Sequence, residues 1–118
     1  MKLREILNEA LGLLGYETGD ITSGRIITAA NSVYADIFFK EASDTDKFKK
    51  LTSIEDELEL SNYALNNCIV YGLAANLALS EQDNDQQEYF AAIYNDKLRG
   101  LPKRRATRQD VQPNPEGV

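Results

Sequence analysis

Apolar positions along the chain fall into four stripes of helical spacing separated by polar breaks. Leu3, Ile6, Leu7, Ala10, Leu11 and Leu14 recur every three or four residues, which predicts an amphipathic helix over 2–14. Gly15 follows the last leucine and suits the left-handed end of such a helix. A second stripe, Ile26, Ile27, Ala30, Val33, Tyr34, Ile37 and Phe38, predicts a helix from Ser23 to about Ala42, capped by Thr22 or Ser23. Asp36 and Lys40 form an i,i+4 pair on its polar side.

The period then changes. Ser43-Asp44-Thr45-Asp46 reads as a turn. Beyond it, Ile54, Leu58 and Leu60 alternate with Glu55, Glu57 and Glu59, Asp56 being the exception on the inner face. Alternation of this kind predicts a short half-buried strand, paired with 47–53 in a hairpin. A two-stranded hairpin is marginal alone, so it must lean on helices or on a neighbouring subunit. Ser61 then caps a third helix reaching to about Ser80. Leu65, Ile69, Leu73 and Leu77 lie four apart in it, and Cys68, Val70, Gly72, Ala74, Ala75, Ala78 and Leu79 surround them. A helix apolar nearly all round belongs in the centre of a domain, and its small residues allow a neighbour to come close. The fourth helix follows Glu81-Gln82-Asp83-Asn84, with Asp83 or Asn84 as cap and Tyr89, Phe90, Ile93, Tyr94 and Leu98 as its apolar side. Gly100 and Pro102 stop it.

The fold expected is all-α: a four-helix bundle-like domain over 1–100, with a short β-hairpin or strand between helices 2 and 3. Residues 101–118 read as a flexible basic arm, broken by Pro113 and Pro115 and poor in aliphatics.

Composition narrows the function classes. The 118 residues make one domain, large enough for a core without disulfides or metal. The single cysteine, Cys68, sits in an apolar stripe and reads as a small buried residue. With no histidine, a Cys/His zinc site is out of reach of one chain, and most acid–base and triad schemes lose their usual proton carrier. The longest apolar run, Cys68 to Leu79, is too short to span a bilayer. The polar opening Met1–Glu5 does not resemble a signal peptide, so a cytosolic start is expected. Asp44, Asp46 and Glu55 match positions 1, 3 and 12 of a calcium loop, but Phe48 and Lys49 occupy positions 5 and 6. Glycine is needed at position 6, so the turn is better read as solvated and acidic. No catalytic residue, cofactor or metal is expected.

Charge is unevenly placed. Residues 1–98 carry 8 basic and 17 acidic side chains, whereas 99–118 carry 5 basic and 2 acidic. An acidic body repels a phosphate backbone. The candidate protein-interaction residues are therefore the acidic Glu55, Glu57 and Glu59, set against Lys47, Lys49 and Lys50 or a neighbouring subunit, and the basic Lys103, Arg104, Arg105 and Arg108 of the arm. A helix-turn-helix reading would ask Arg25, Asn31 and Lys40 of the second helix to face a groove, beside Asp36 and Glu41. A small helical nucleic-acid-binding regulator is the alternative function on these grounds.

From Leu51 to Leu98 the order of features resembles a known family. An acidic segment, Glu57-Leu58-Glu59-Leu60, leads through a polar cap into a helix containing Tyr71-Gly72-Leu73-Ala74-Ala75-Asn76-Leu77-Ala78. A tight acidic turn, Glu81–Asp85, follows, and then a helix with Tyr89-Phe90, Tyr94-Asn95 and Lys97-Leu98-Arg99. This order, with Ala29 to Ile37 as the preceding helix, resembles phage head–tail connector (adaptor, head-completion) proteins of long-tailed double-stranded DNA phages. The resemblance implies a non-enzymatic structural subunit of a homo-oligomeric ring. Such a ring docks on the portal protein after DNA packaging and links head to tail. It implies as partners the portal, neighbouring copies and a downstream stopper or tail-completion protein, with at most passing contact with packaged DNA and none with membrane. The implied location is the virion head–tail junction, and the host cytoplasm during assembly. The segment 103–118 stands where many members carry a C-terminal contact segment.

Overall fold

The computed structural model describes residues 1–41 and 47–102. Four helices run up and down in turn: α1 (Leu3–Leu14), α2 (Ser23–Glu41), α3 (Ile69–Ser80) and α4 (Asn84–Leu98). A π-helical segment, Ala64–Cys68, leads directly into α3. The all-α expectation holds, and the four apolar stripes become the four helices.

α3 is the hub, packing against each of the other three helices. Leu73, Ala74, Leu77 and Ala78 on it are wholly buried, as its all-round apolar pattern requires. α1 and α2 present single faces, Leu3, Ile6 and Ala10 from one and Ala30, Val33 and Ile37 from the other. α4 has one fully buried residue, Phe90, and otherwise lies half-covered along α3. Gly72 is where three helices converge. A Cβ built there would stand 2.5 Å from Val33 Cγ1 and 2.8 Å from the Tyr94 ring.

The helix ends show local logic. Gly15 ends α1 at φ 75°, a conformation that costs other residues steric strain. The Asp83 carboxylate accepts the Gln86 amide and caps α4. At the start of α1, Glu5 reaches back to accept the Lys2 amide at 2.9 Å. The next free amides, of Leu3 and Arg4, donate to the carbonyls of Asp56 and Ile54 at 3.0 and 2.8 Å.

Those last bonds correct the expected β-hairpin. Among the described residues there is no strand between helices 2 and 3; the one ladder-like contact is an isolated antiparallel bridge between Lys2 and Glu57. Period-two alternation does hold where Leu58 and Leu60 are buried and Glu57 and Glu59 exposed. The backbone, however, finds helix partners in place of a second strand. Leu58 donates to the Met1 carbonyl at 3.1 Å. The Asn31 side chain of α2 accepts the Leu51 amide at 2.6 Å and donates to the Leu51 carbonyl at 2.9 Å. The Tyr34 hydroxyl accepts the Glu59 amide at 2.9 Å. A hairpin would have left the first amides of α1 unpaired, whereas this arrangement satisfies both segments.

Ser61 ties the end of α2 to the helix that follows. Glu41, only 1% exposed, accepts the Ser61 amide at 2.7 Å and its hydroxyl at 2.8 Å. The same hydroxyl oxygen accepts the Ala64 amide at 3.1 Å. One extra residue is accommodated in the π-helical turn, where Ile69 donates to the Ala64 carbonyl and the Asn67 side chain to the Tyr63 carbonyl at 3.2 Å. That turn brings both Ala64 and Cys68 into the core.

Candidate functional site

The up-and-down order gives the bundle two ends. The lower end gathers the start of α1, the end of α2, segment 47–61 and the end of α4. Its ties are the Lys2–Glu57 bridge, the Glu41–Ser61 bonds and a 2.8 Å bond from the Tyr63 hydroxyl to the Lys97 carbonyl. The upper end gathers the α1–α2 and α3–α4 turns, tied by Tyr16 to Asp83 at 3.2 Å and Gln86 to the Leu14 carbonyl at 3.1 Å.

At the lower end the three candidate glutamates part company. Glu55 pairs with Arg4 and, at 3.4 Å, with Lys2. Glu57 pairs with the N-terminal amine at 2.9 Å. Both are thus engaged by the start of α1, not by the nearby lysines. These pairs are exposed and each contributes little to stability. Glu59 lines a cleft of about 630 Å³ together with Tyr34, Lys47, Lys49, Lys50, Asp56 and Glu57. The Asp56 carboxylate is occupied within its own loop. It accepts the amides of Thr52 and Ser53 at 2.7 and 3.0 Å, which lowers its pKa below the usual carboxylate value. Lys47, Lys49 and Lys50 have no carboxylate within ion-pair distance among the described residues. Beside them Phe48 packs on Phe39, ring centres 5.2 Å apart, and Phe39 remains 50% exposed. Unengaged ammonium groups next to an uncovered aromatic ring therefore mark this end.

The upper end is acidic. A cleft of about 650 Å³ is lined by Tyr16, Asp20, Glu81, Gln82 and Asp83. Glu81 pairs with Arg25 at 2.8 Å, and Asp20 accepts the Glu17 amide at 2.7 Å. The Gln86 side chain, the Gln86 amide and the Tyr16 hydroxyl together hold the Asp83 pKa low. Burial, followed by the Asp83 contact, raises that of Tyr16.

The helix-turn-helix candidates are all engaged internally. Arg25 holds Glu81 and the Ser80 carbonyl, Asn31 holds Leu51, and Lys40 holds Asp36 at 2.8 Å. Cys68 is fully buried. Burial, with the nearby Glu41 charge, pushes its thiol up to about 11, far from the thiolate character a nucleophile needs. Among the described residues no group of three or more His, Cys, Asp or Glu is arranged to hold a metal ion. Likewise, no helix among them is long and apolar enough to cross a membrane.

No family model, curated protein or solved structure matches the chain.

Lys103, Arg104, Arg105 and Arg108 lie outside the described residues, as do Asp44 and Asp46 of the acidic turn. The chain enters that last stretch from Leu101, which is itself buried in the core. Two features escaped the sequence. Glu41 ends a helix and reads as a solvated charge; nothing local announces its burial against Ser61. The lysine cleft is built by folding 47–51 back over Tyr34, a long-range event; its only trace in the sequence is the run Lys47-Phe48-Lys49-Lys50.

Proposed function

We propose that this chain is a structural subunit of a phage or prophage head–tail connector, assembling as a homo-oligomeric ring on the portal. The observation that carries the reading is the layout from Leu51 to Leu98: an extended acidic segment, a central apolar helix, a tight acidic turn and a peripheral helix. It is through this order that the chain resembles connector subunits. The two ends of the bundle also differ, one with a cleft of mixed charge and the other with an acidic one, which suits ring subunits that meet through two different faces. The basic 103–118 segment is assigned to portal or neighbour contacts.

The test is direct. Purified protein is mixed with DNA-filled heads that carry a portal but lack a tail, and the vertex is imaged by cryo-electron microscopy. Ring density of the protein beneath the portal is the expected result; heads with a bare vertex at saturating protein refute the reading. Ending the chain after Pro102, which keeps Leu101 in the core, is expected to leave the fold intact and weaken docking. The alternative of a nucleic-acid-binding regulator draws on Lys47, Lys49 and Lys50. It requires salt-dependent duplex binding by the isolated protein with a steep log–log slope.

A further inference from the structure

We infer that residues 61–68 form a two-register switch: the π-helical register of this structure fastens the end of α4, and a plain α-helical register, one residue out of step, releases it. The switch is independent of any assembly the chain enters.

Sequence and packing disagree at Leu65. Leu65, Ile69, Leu73 and Leu77 are spaced four apart, so an unbroken α-helix sets all four on one face. Ile69, Leu73 and Leu77 are buried there, but Leu65 is only partly buried. The core place beneath Ile69 goes to Ala64, which is wholly buried. It does so because the Ile69 amide donates to the Ala64 carbonyl, five residues back. A leucine is thus left half outside while an alanine fills its place. A π turn holds one residue more than the α-helix around it, and such turns are frequent at functional sites.

Contacts from outside the helix hold the π register. Ser61 gives its amide and its hydroxyl to Glu41 at 2.7 and 2.8 Å. The Tyr63 hydroxyl donates to the Lys97 carbonyl at 2.8 Å, and the Cys68 thiol approaches the same oxygen at 3.6 Å. The Tyr63 ring lies so close to Gly100 that a Cβ built there would stand 2.7 Å from its Cζ. Leu101, next in the chain, is buried. Tyr63 therefore clasps the last turn of α4.

Sliding the chain by one residue undoes the clasp in a defined way. Leu65 takes the place of Ala64, and its carbonyl accepts the Ile69 amide in the ordinary i→i−4 pattern. Ala64 takes the place of Tyr63 and offers Lys97 no hydroxyl. Asn62 takes the place of Ser61, and its side chain suits both a carboxylate partner and a helix start. The displaced residue is absorbed before Ser61, where the chain belongs to no strand. Helix register shifts of this kind run on the microsecond-to-millisecond timescale. The chain beyond Pro102 leaves from this turn, so the register decides whether it is anchored there.

The test is nitrogen-15 relaxation dispersion on the full chain, in the wild type and three variants. Wild-type amides of 61–69 and 96–101 are expected to share one exchange rate, with a minor state of roughly 1%. Tyr63→Phe removes the clasping bond and is expected to raise that population about fivefold, the worth of one hydrogen bond. Leu65→Ala removes what the α-helical register gains and is expected to abolish the dispersion. Deleting Asn66, an exposed residue, brings Ile69 four positions from Ala64 and locks the clasped state; both sets of amides are expected to lose their exchange. Flat profiles in both the wild type and Tyr63→Phe overturn the inference. Simple fraying of α4 gives exchange at 96–101 alone, unmoved by Leu65→Ala, and overturns it as well. Should the deletion fail to fold, the opposite shifts expected of Tyr63→Phe and Leu65→Ala decide.

Discussion

Gly72→Ala is expected to destabilise the protein, although alanine is the better helix former. Ala gains about 1 kcal/mol over Gly in a helix interior. Against it stands the contact a Cβ would make, 2.5 Å from Val33 Cγ1 and 2.8 and 3.0 Å from the Tyr94 ring. Neither neighbour yields easily. Val33 lies within α2, where a β-branched side chain has one strongly preferred rotamer. The Tyr94 ring is held by a 2.6 Å bond from its hydroxyl to Asp36. Overpacking of a core typically costs about 1–3 kcal/mol, and two tethered neighbours put this site at the upper end. The net loss is then about 2 kcal/mol, or on the order of 5–10 °C in Tm for a domain of this size. Thermal and urea denaturation followed by circular dichroism measure it. Val33→Ala alone should cost stability, but in the Gly72→Ala background it should cost less, because it vacates the contested space. A Gly72→Ala protein as stable as the parent, or a double variant whose losses simply add, would refute the close-approach argument.

Further expectations follow from the same contacts. Burial, then the Asp36 hydrogen bond, raises the Tyr94 pKa. The folded state therefore keeps this proton at a pH where the unfolded state releases it, at about 10. Stability tied to it is complete below that pH and declines as pH rises further; urea midpoints compared at pH 9 and 11 should fall, and fall less in Tyr94→Phe. Cys68, with its thiol pushed up to about 11 and no exposure, should resist a thiol reagent at pH 8 until denaturant is added; rapid labelling of the native protein would contradict its placement. Ser61→Ala withdraws a hydroxyl from buried Glu41 and an acceptor from the Ala64 amide. It should cost about 1–3 kcal/mol by urea denaturation.

What the sequence made legible was whatever depends on local periodicity. The stripes of α1 and α2 could be read directly, and the cap of α4 narrowed to Asp83 or Asn84, because a helix satisfies its backbone within itself, so pattern and structure share one scale. The segment around Glu57 could not. Its alternation correctly reports which side chains point inward, but alternation is silent on where backbone amides find partners. Here those partners are Asn31, Tyr34 and residues 1–4, the farthest being Met1, whose carbonyl accepts the Leu58 amide. The candidate glutamates divide for the same reason. Glu55 and Glu57 are taken by the chain's first residues, and Glu59 is left facing the lysine cleft. The π-helical turn was equally invisible, since a single inserted residue shifts the phase of Leu65, Ile69 and Leu73 without breaking their spacing of four.

The fastening of α4 along one flank makes the molecule unequal in its resistance to opening. α3 is enclosed by three neighbours, so exposing its amides to solvent requires dismantling most of the core. α4 can lift from α3 by uncovering Phe90, Ile93 and Leu98 and releasing the Tyr94–Asp36, Tyr63–Lys97, Gln86–Leu14 and Tyr16–Asp83 bonds, while the packing of α1 and α2 on α3 remains. Sub-global openings of that kind have lower free energy than complete unfolding. Amide hydrogens of α4 should accordingly exchange with deuterium ahead of those of α3, and, of these two helices, proteolysis of the native protein should cut α4 first.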